Sequence, residues 1–286
     1  MFSYPVIDTH VHLWDPERLK YQWLEGNERL NRPFSLKEYR EATTGIPVKK
    51  MVFLECGCLS EQRKHEVAFV MESKQADPRL EAIIPYFPVH LGPRVEVEMK
   101  ELSRNQAIKG VRRMLQDETE AGVCLQPDFI KGLNLLPKYN LHFEITIRHH
   151  QLPDVLKMVE LCPGVRFILD HIGKPNIKEG ELEPWRENIA QLATMPNVWC
   201  KVSGLVTEAD DKIWTVEELR PYVEKVIESF TFDRVMYGSD WPVVTMASSY
   251  SRWFETLCEL VSGCSVDEQK RLFSQNATEF YRLKSL

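Results

Sequence analysis

The stretch Val6-Ile7-Asp8-Thr9-His10-Val11-His12-Leu13 sets the reading of this chain. It is a short apolar run near the N-terminus, ending in two histidines separated by one residue. On a strand, side chains two apart share a face, so His10 and His12 project side by side. Two imidazoles at a strand end can hold one metal ion or one reacting group. They could equally be polar residues at the edge of a core, and the rest of the chain decides between the two.

Strand-like and helix-like runs alternate along all 286 residues. Strands are expected at 6–10, 50–54, 81–87, 107–111, 142–147, 166–169, 198–202 and 234–237. Between them lie helical stripes such as Leu152, Val155, Leu156 and Val159, spaced i, i+3, i+4, i+7. Ser35-x-x-Glu38, Thr215-x-x-Glu218 and Ser265-x-x-Glu268 read as capping boxes, and Ser60 as a further helix cap. Eight strand–helix units with no Gly/Ser-rich linker and no internal repeat imply a parallel sheet. The expected fold is an α/β TIM barrel, (β/α)8, in a single domain over 1–286. An open doubly wound sheet would carry a Gly-rich turn after its first strand. Here 14–33 is instead a long loop holding Trp14, Tyr21 and Trp23.

Composition narrows the function class. The net charge of -6, from 36 basic and 42 acidic residues without a long basic block, argues against nucleic acid or an anionic membrane as partner. No apolar run is long enough to span a bilayer, and the start lacks the pattern of a secretory signal. The seven cysteines are scattered, with Cys56-x-Cys58 lacking a second pair, and read as free thiols in a reducing compartment. A cytoplasmic protein with a small-molecule substrate is expected, as a monomer or homo-oligomer. Asn276-Ala277-Thr278 fits a glycosylation pattern but reads as part of a helix.

In such a barrel the active site lies at the C-terminal ends of the strands. The polar groups expected there are His10 and His12, Glu55, His90, Arg112 and Arg113, His149 and His150, His171, Lys201 and Ser203, and Asp240. Of the eight histidines, six fall at these ends, which random placement does not explain. Adjacent strand residues face opposite ways, so one of His149 and His150 should point inward, as acid or ligand. One of Arg112 and Arg113 should bind substrate by planar bidentate hydrogen bonds. Trp14, Tyr21, Trp23 and Trp241 lie on loops at the same rim, suited to a sugar ring or to loop packing.

Three segments carry a resemblance: Thr9-His10-Val11-His12-Leu13-Trp14-Asp15, Asp170-His171-Ile172-Gly173-Lys174-Pro175 and Tyr237-Gly238-Ser239-Asp240-Trp241-Pro242. In order and spacing they resemble the amidohydrolase superfamily, and more narrowly its sugar-lactonase branch, the L-fuconolactonase and L-rhamnonolactonase type. The resemblance implies a metal-binding hydrolase of carbohydrate metabolism that opens a small sugar-acid lactone. Asp240 would be the general base, and His10, His12, His171 and Asp240 the ligands of one divalent ion, zinc first. His171, His149 and His150 would be further catalytic groups. A metal-free version, with the same histidines stabilising the oxyanion or donating a proton, stays open. The binuclear members bridge two metals with a carboxylated lysine or glutamate after the fourth strand. Arg112-Arg113 stands there instead, so at most one ion is expected, and a dicarboxylate lactone becomes a variant substrate. The alternatives are a non-oxidative decarboxylase of an aromatic or enol acid, and a catalytically silent barrel that binds a metabolite.

Overall fold

The structure is a computed structural model describing residues 4–285. Among these, eight strands alternate with helices: β1 (Val6–Val11), β2 (Val48–Leu54), β3 (Leu80–Ile84), β4 (Gly110–Arg112), β5 (His142–Ile145), β6 (Phe167–Leu169), β7 (Val198–Val202) and β8 (Val235–Tyr237). Strands β1 to β3 and β4 to β8 pair in parallel, each with its neighbour in sequence. Parallel bridges Ile83–Ile108 and Tyr86–Arg112 join β3 to β4, and Val11–Trp241 joins the end of β8 to β1. The ring is thereby closed, as a TIM barrel requires.

The helices follow their strands: α1 (Leu36–Ala42), α2 (Arg63–Ala76), α3 (Glu96–Leu102), α4 (Pro127–Leu135), α5 (Leu152–Glu160), α6 (Trp185–Ala193), α7 (Val216–Phe230) and α8 (Tyr250–Leu260). The three capping boxes form as expected. Ser60 is not a cap. It opens a short 3-10 turn, and α2 begins after Gln62 without a side-chain cap. The fifth strand is shorter than expected. It stops at Ile145, and His149–Gln151 forms a 3-10 turn.

Two apolar layers follow from the period-2 alternation of buried strands. One lies between strands and helices, with Val6, Val11, Phe53, Val111 and Phe143. The other fills the barrel, with Ile7, Val52, Leu54, Ile84 and Met236, and meets Ala277, Phe280 and Tyr281. The latter belong to or follow the last helix, Asn276–Phe280, which plugs the N-terminal end of the barrel. Asn276 is buried there, its Nδ2 donating to Phe232 O and Val235 O at 2.6 and 2.7 Å.

A β-bulge in β1 places the two histidines. From Asp8 to Val11 the strand advances three residues while β2 advances two, from Met51 to Phe53. Plain alternation from the inward Ile7 would turn Thr9 and Val11 into the barrel. The extra residue resets the phase, so Val11 packs outward and His10 and His12 face in. Asp8 holds this kink. Its carboxylate accepts from Ser239 N at 2.8 Å, His10 N at 3.3 Å, Tyr39 Oη at 2.9 Å and Tyr250 Oη at 3.1 Å. It thus ties β1 to the Ser239-Asp240 turn after β8. Asp8→Ala would leave buried donors unpaired, each costing about 1–3 kcal/mol. The Tm should fall by roughly 6 °C or more, as calorimetry would show, and Asp8→Asn should fall less.

Candidate active site

At the C-terminal mouth, side chains from β1, β6 and β8 meet. His10 Nε2 and His12 Nε2 lie 3.1 Å apart. Asp240 Oδ1 stands 3.6 Å from the first, 3.5 Å from the second and 3.9 Å from His171 Nε2. All four residues are buried. His171 and Asp240 both have positive φ, 54° and 59°, which non-glycine residues adopt at a cost of about 1–3 kcal/mol. The backbone bonds His12 N to Trp241 O (2.8 Å) and Asp240 N to His10 O (2.9 Å) hold the two strand ends in register.

The far nitrogens are also committed. His12 Nδ1 lies 2.9 Å from Leu54 O, and a carbonyl oxygen only accepts, so Nδ1 carries the proton. His10 Nδ1 lies 3.3 Å from Asp170 Oδ1 and 3.4 Å from Lys201 Nζ. His171 Nδ1 pairs with Ser203 Oγ at 2.9 Å. His10 Nε2 lies 3.4 Å from Arg112 Nη1, which only donates, so the Nε2 atoms of both histidines carry lone pairs, facing each other and a carboxylate.

A ring of buried charge surrounds them. Arg112 Nε donates to Glu55 Oε1 at 2.9 Å, and its Nη1 lies 3.4 Å from Asp170 Oδ2 and 3.4 Å from His10 Nε2. Thr146 Oγ1 donates to Asp170 Oδ2 at 2.6 Å. Lys201 Nζ lies 3.1 Å from Asp170 Oδ1 and pairs with Glu144 Oε2. Burial pushes His10 well below the usual imidazole range and His171 down to about 4, so both stay neutral near pH 7. Burial would raise Asp240 and Asp170. The His171, His12 and His10 imidazoles hold Asp240 down instead, and Lys201, His10 and Arg112 hold Asp170 down.

A pocket of about 410 Å³ opens above this cluster. His12, His171, Asp240, Arg112, Glu55 and Thr146 line it, with Gln22, Trp23, Met114, Gln116, Asp117 and Lys174 among its other lining residues. Of the residues expected at the site, His10, His12, His171, Asp240, Arg112 and Trp23 are brought together. His149 and His150 are not. They fall beyond the end of β5, on the 3-10 turn, where His149 Nδ1 faces Lys174 O at 3.1 Å and His150 is exposed. Thr146 takes the fifth-strand place. Arg113 turns away to Glu118. Trp14 is buried, donating to Leu30 O and Arg32 O, and Trp241 packs on Phe34 and Tyr39. Tyr21 is buried and does not line the pocket. Glu144, Thr146, Asp170, Lys201 and Ser203 had no assigned role in the sequence reading. For Glu144 and Thr146, and for Lys201 and Ser203, the signal was polar residues two apart at the end of an apolar run; for Asp170 it was the place next to His171.

A family model described as amidohydrolase matches residues 7–283. The chain belongs to the amidohydrolase family. It is 28% identical to an L-fucono-1,5-lactonase of Burkholderia multivorans, over 97% of this chain and 96% of that protein. It is 24% identical to an L-rhamnono-gamma-lactonase of Scheffersomyces stipitis, over 99% of this chain and all of that one. A crystal structure of a Burkholderia multivorans amidohydrolase with bound zinc superposes with a TM-score of 0.88 at 26% identity, covering 98% of this chain and 100% of that chain.

The residues of this amidohydrolase fit one divalent ion. Tetrahedral zinc with bonds of about 2.0–2.1 Å sets its ligand atoms roughly 3.3 Å apart. His10 Nε2, His12 Nε2 and Asp240 Oδ1 stand 3.1, 3.5 and 3.6 Å apart. The far-side bond of His12 Nδ1 to Leu54 O is of the kind that orients metal-binding imidazoles.

Two expectations follow. Gly204 has φ +65°, and a Cβ there would lie 2.5 Å from His171 Nδ1. Gly204→Ala should displace His171 and weaken divalent-ion affinity about 10–100-fold, as titration calorimetry would reveal. Glu66 on α2 is buried, and burial, with Glu55 adding to it and Arg112 opposing, pushes its carboxyl up to about 8. Cys56 N donates to it and Cys58 lies beside it. A folded pKa above the unfolded one means stability is full below about 4.5 and lost as pH rises through about 8. The Tm of the wild type should fall between pH 5 and 9, and Glu66→Gln should flatten that slope.

Proposed function

We propose that this amidohydrolase opens the ring of an uncharged, hydroxyl-rich sugar-acid lactone, of the L-fucono- or L-rhamnono-lactone type, to the aldonic acid. The observation that carries the reading is the meeting of Asp240 with three imidazoles at the base of the pocket. Asp240, which lies below the usual carboxylate range, accepts a proton from water as the water oxygen attacks the ester carbonyl. The tetrahedral intermediate collapses, the ring C–O bond breaks, and Asp240 returns the proton to the leaving alkoxide. His171, neutral and oriented by Ser203, faces the reacting centre from β6. A divalent ion held by His10, His12 and Asp240 would supply Lewis acidity toward the carbonyl; zinc is the first candidate.

Pocket charge supports a neutral substrate over a dicarboxylate lactone or an aromatic acid. Arg112 is consumed by Glu55 and Asp170, and Arg113 by Glu118. Lys174 faces Glu208 at 3.6 Å, and Asp117 faces Arg148 at 3.6 Å. What remains for substrate is Gln22, Gln116 and the indole of Trp23, which is 43% exposed. Trp23 Nε1 donates to Cys56 O at 2.7 Å, so its ring is set before substrate arrives.

A panel of aldonolactones, a dicarboxylate lactone and carboxylated aromatics tests this with a pH-indicator and carbon dioxide readout. Acidification by a neutral aldonolactone is expected, and Asp240→Asn should cut kcat by about 10²–10⁴-fold. Preferential turnover of the dicarboxylate lactone, or carbon dioxide release, would overturn the reading.

A further inference from the structure

Lys201 is fully buried on β7, and the hydrolysis above makes no use of it. Its Nζ lies 3.1 Å from Asp170 Oδ1 and 3.4 Å from His10 Nδ1, and it is ion-paired to Glu144 Oε2. The other oxygen of Glu144 is occupied: Tyr281 Oη donates to it at 2.8 Å, and His142 Nε2 lies 3.2 Å away. Glu144 is therefore held with one oxygen turned to the ammonium. His10, Glu144 and Asp170 bring ligand-type atoms within 4.8 Å of one another, a second such convergence beside the one that includes Asp240. The two share His10, which offers Nε2 to one and its Nδ1 edge to the other.

Two buried carboxylates aimed at one point need a cation there, since unpaired burial of charge is costly. A lysine ammonium is a compact point charge with three donors, able to stand where an oxygen-ligated ion would. We propose that Lys201 is the built-in second cation of this centre, filling the His10–Glu144–Asp170 cradle that would otherwise take a second divalent ion. This rests on the reading of His10, His12 and Asp240 as the site of the first. It assigns Lys201 a positioning role. Its charge anchors Asp170, whose Oδ1 faces His10 Nδ1 at 3.3 Å. Without the lysine, the chain has the carboxylates of a two-ion site.

The test compares wild type with Lys201→Ala. Both are stripped with a chelator, reloaded with Mn²⁺ and desalted, and the metal per chain is measured by elemental mass spectrometry. The variant should hold one ion more than wild type, with electron paramagnetic resonance showing spin coupling between neighbouring ions. Adding Glu144→Gln to Lys201→Ala should return the count to that of wild type. If Lys201→Ala is unfolded in chelated buffer, excess Mn²⁺ or methylammonium should restore its circular dichroism. A folded Lys201→Ala with the wild-type count overturns the proposal, and so does a variant that neither cation refolds. A wild type that holds no ion counts against the first site alone, because the readout here is the difference between the two proteins.

Discussion

Charge buried in the barrel mouth is the constraint to which the rest of the structure answers. Glu55, Glu144, Asp170 and Asp240 are all removed from water. An isolated carboxylate cannot be kept ionised there without partners. Arg112 and Lys201 stand between three of them, and the imidazoles of His10, His12 and His171 face the fourth. The cluster is therefore polarised: cations toward β4 and β7, a bare carboxylate and bare imidazole lone pairs toward the pocket. That asymmetry is what makes the pocket side fit for an ion and a reacting carbonyl.

Geometry of this quality needs a rigid frame, and the frame is specified by a few backbone choices. The β1 bulge, the Asp8 clamp and the left-handed residues at His171 and Asp240 each depart from the most comfortable local conformation. Each is held by contacts from elsewhere in the chain. Tyr39 on α1, Tyr250 on α8 and the backbone of Ser239 all converge on Asp8. Gly204 leaves the His171 ring the room that any side chain would take. At the opposite end, Tyr281 reaches up from the C-terminal plug to Glu144, so the closure of the barrel floor and the charge network are one structure.

Much of this was legible in the amino-acid order. Alternating strand and helix patterns led to the barrel, because periodicity is a local property of the chain. The His10-x-His12 pair, His171 and Asp240, which meet at the mouth, could be grouped in the sequence because each sits at the end of an apolar run. His149 and His150 lie away from the mouth for a reason of register. His149 and His150 lie past a strand that ends earlier than its apolar run, and no local pattern marks where pairing with the neighbouring strand stops. Trp14, Tyr21 and Trp241 are as aromatic as Trp23. Only the fold of the 14–33 loop shows that their rings are spent on packing.

The sequence by itself determined the class of fold, the strand ends that carry chemistry and the residue types gathered there, because hydrophobic period and side-chain chemistry belong to each segment alone. Tertiary structure decided which neighbour faces inward and whom it meets. Arg112 rather than Arg113 enters the mouth, and it arrives already committed to Glu55 and Asp170. Lys201 and Glu144 become one charge network although they are 57 positions apart. Register, bulges and the partners of a buried charge arise from pairing between distant strands, and no stretch of chain contains that information alone.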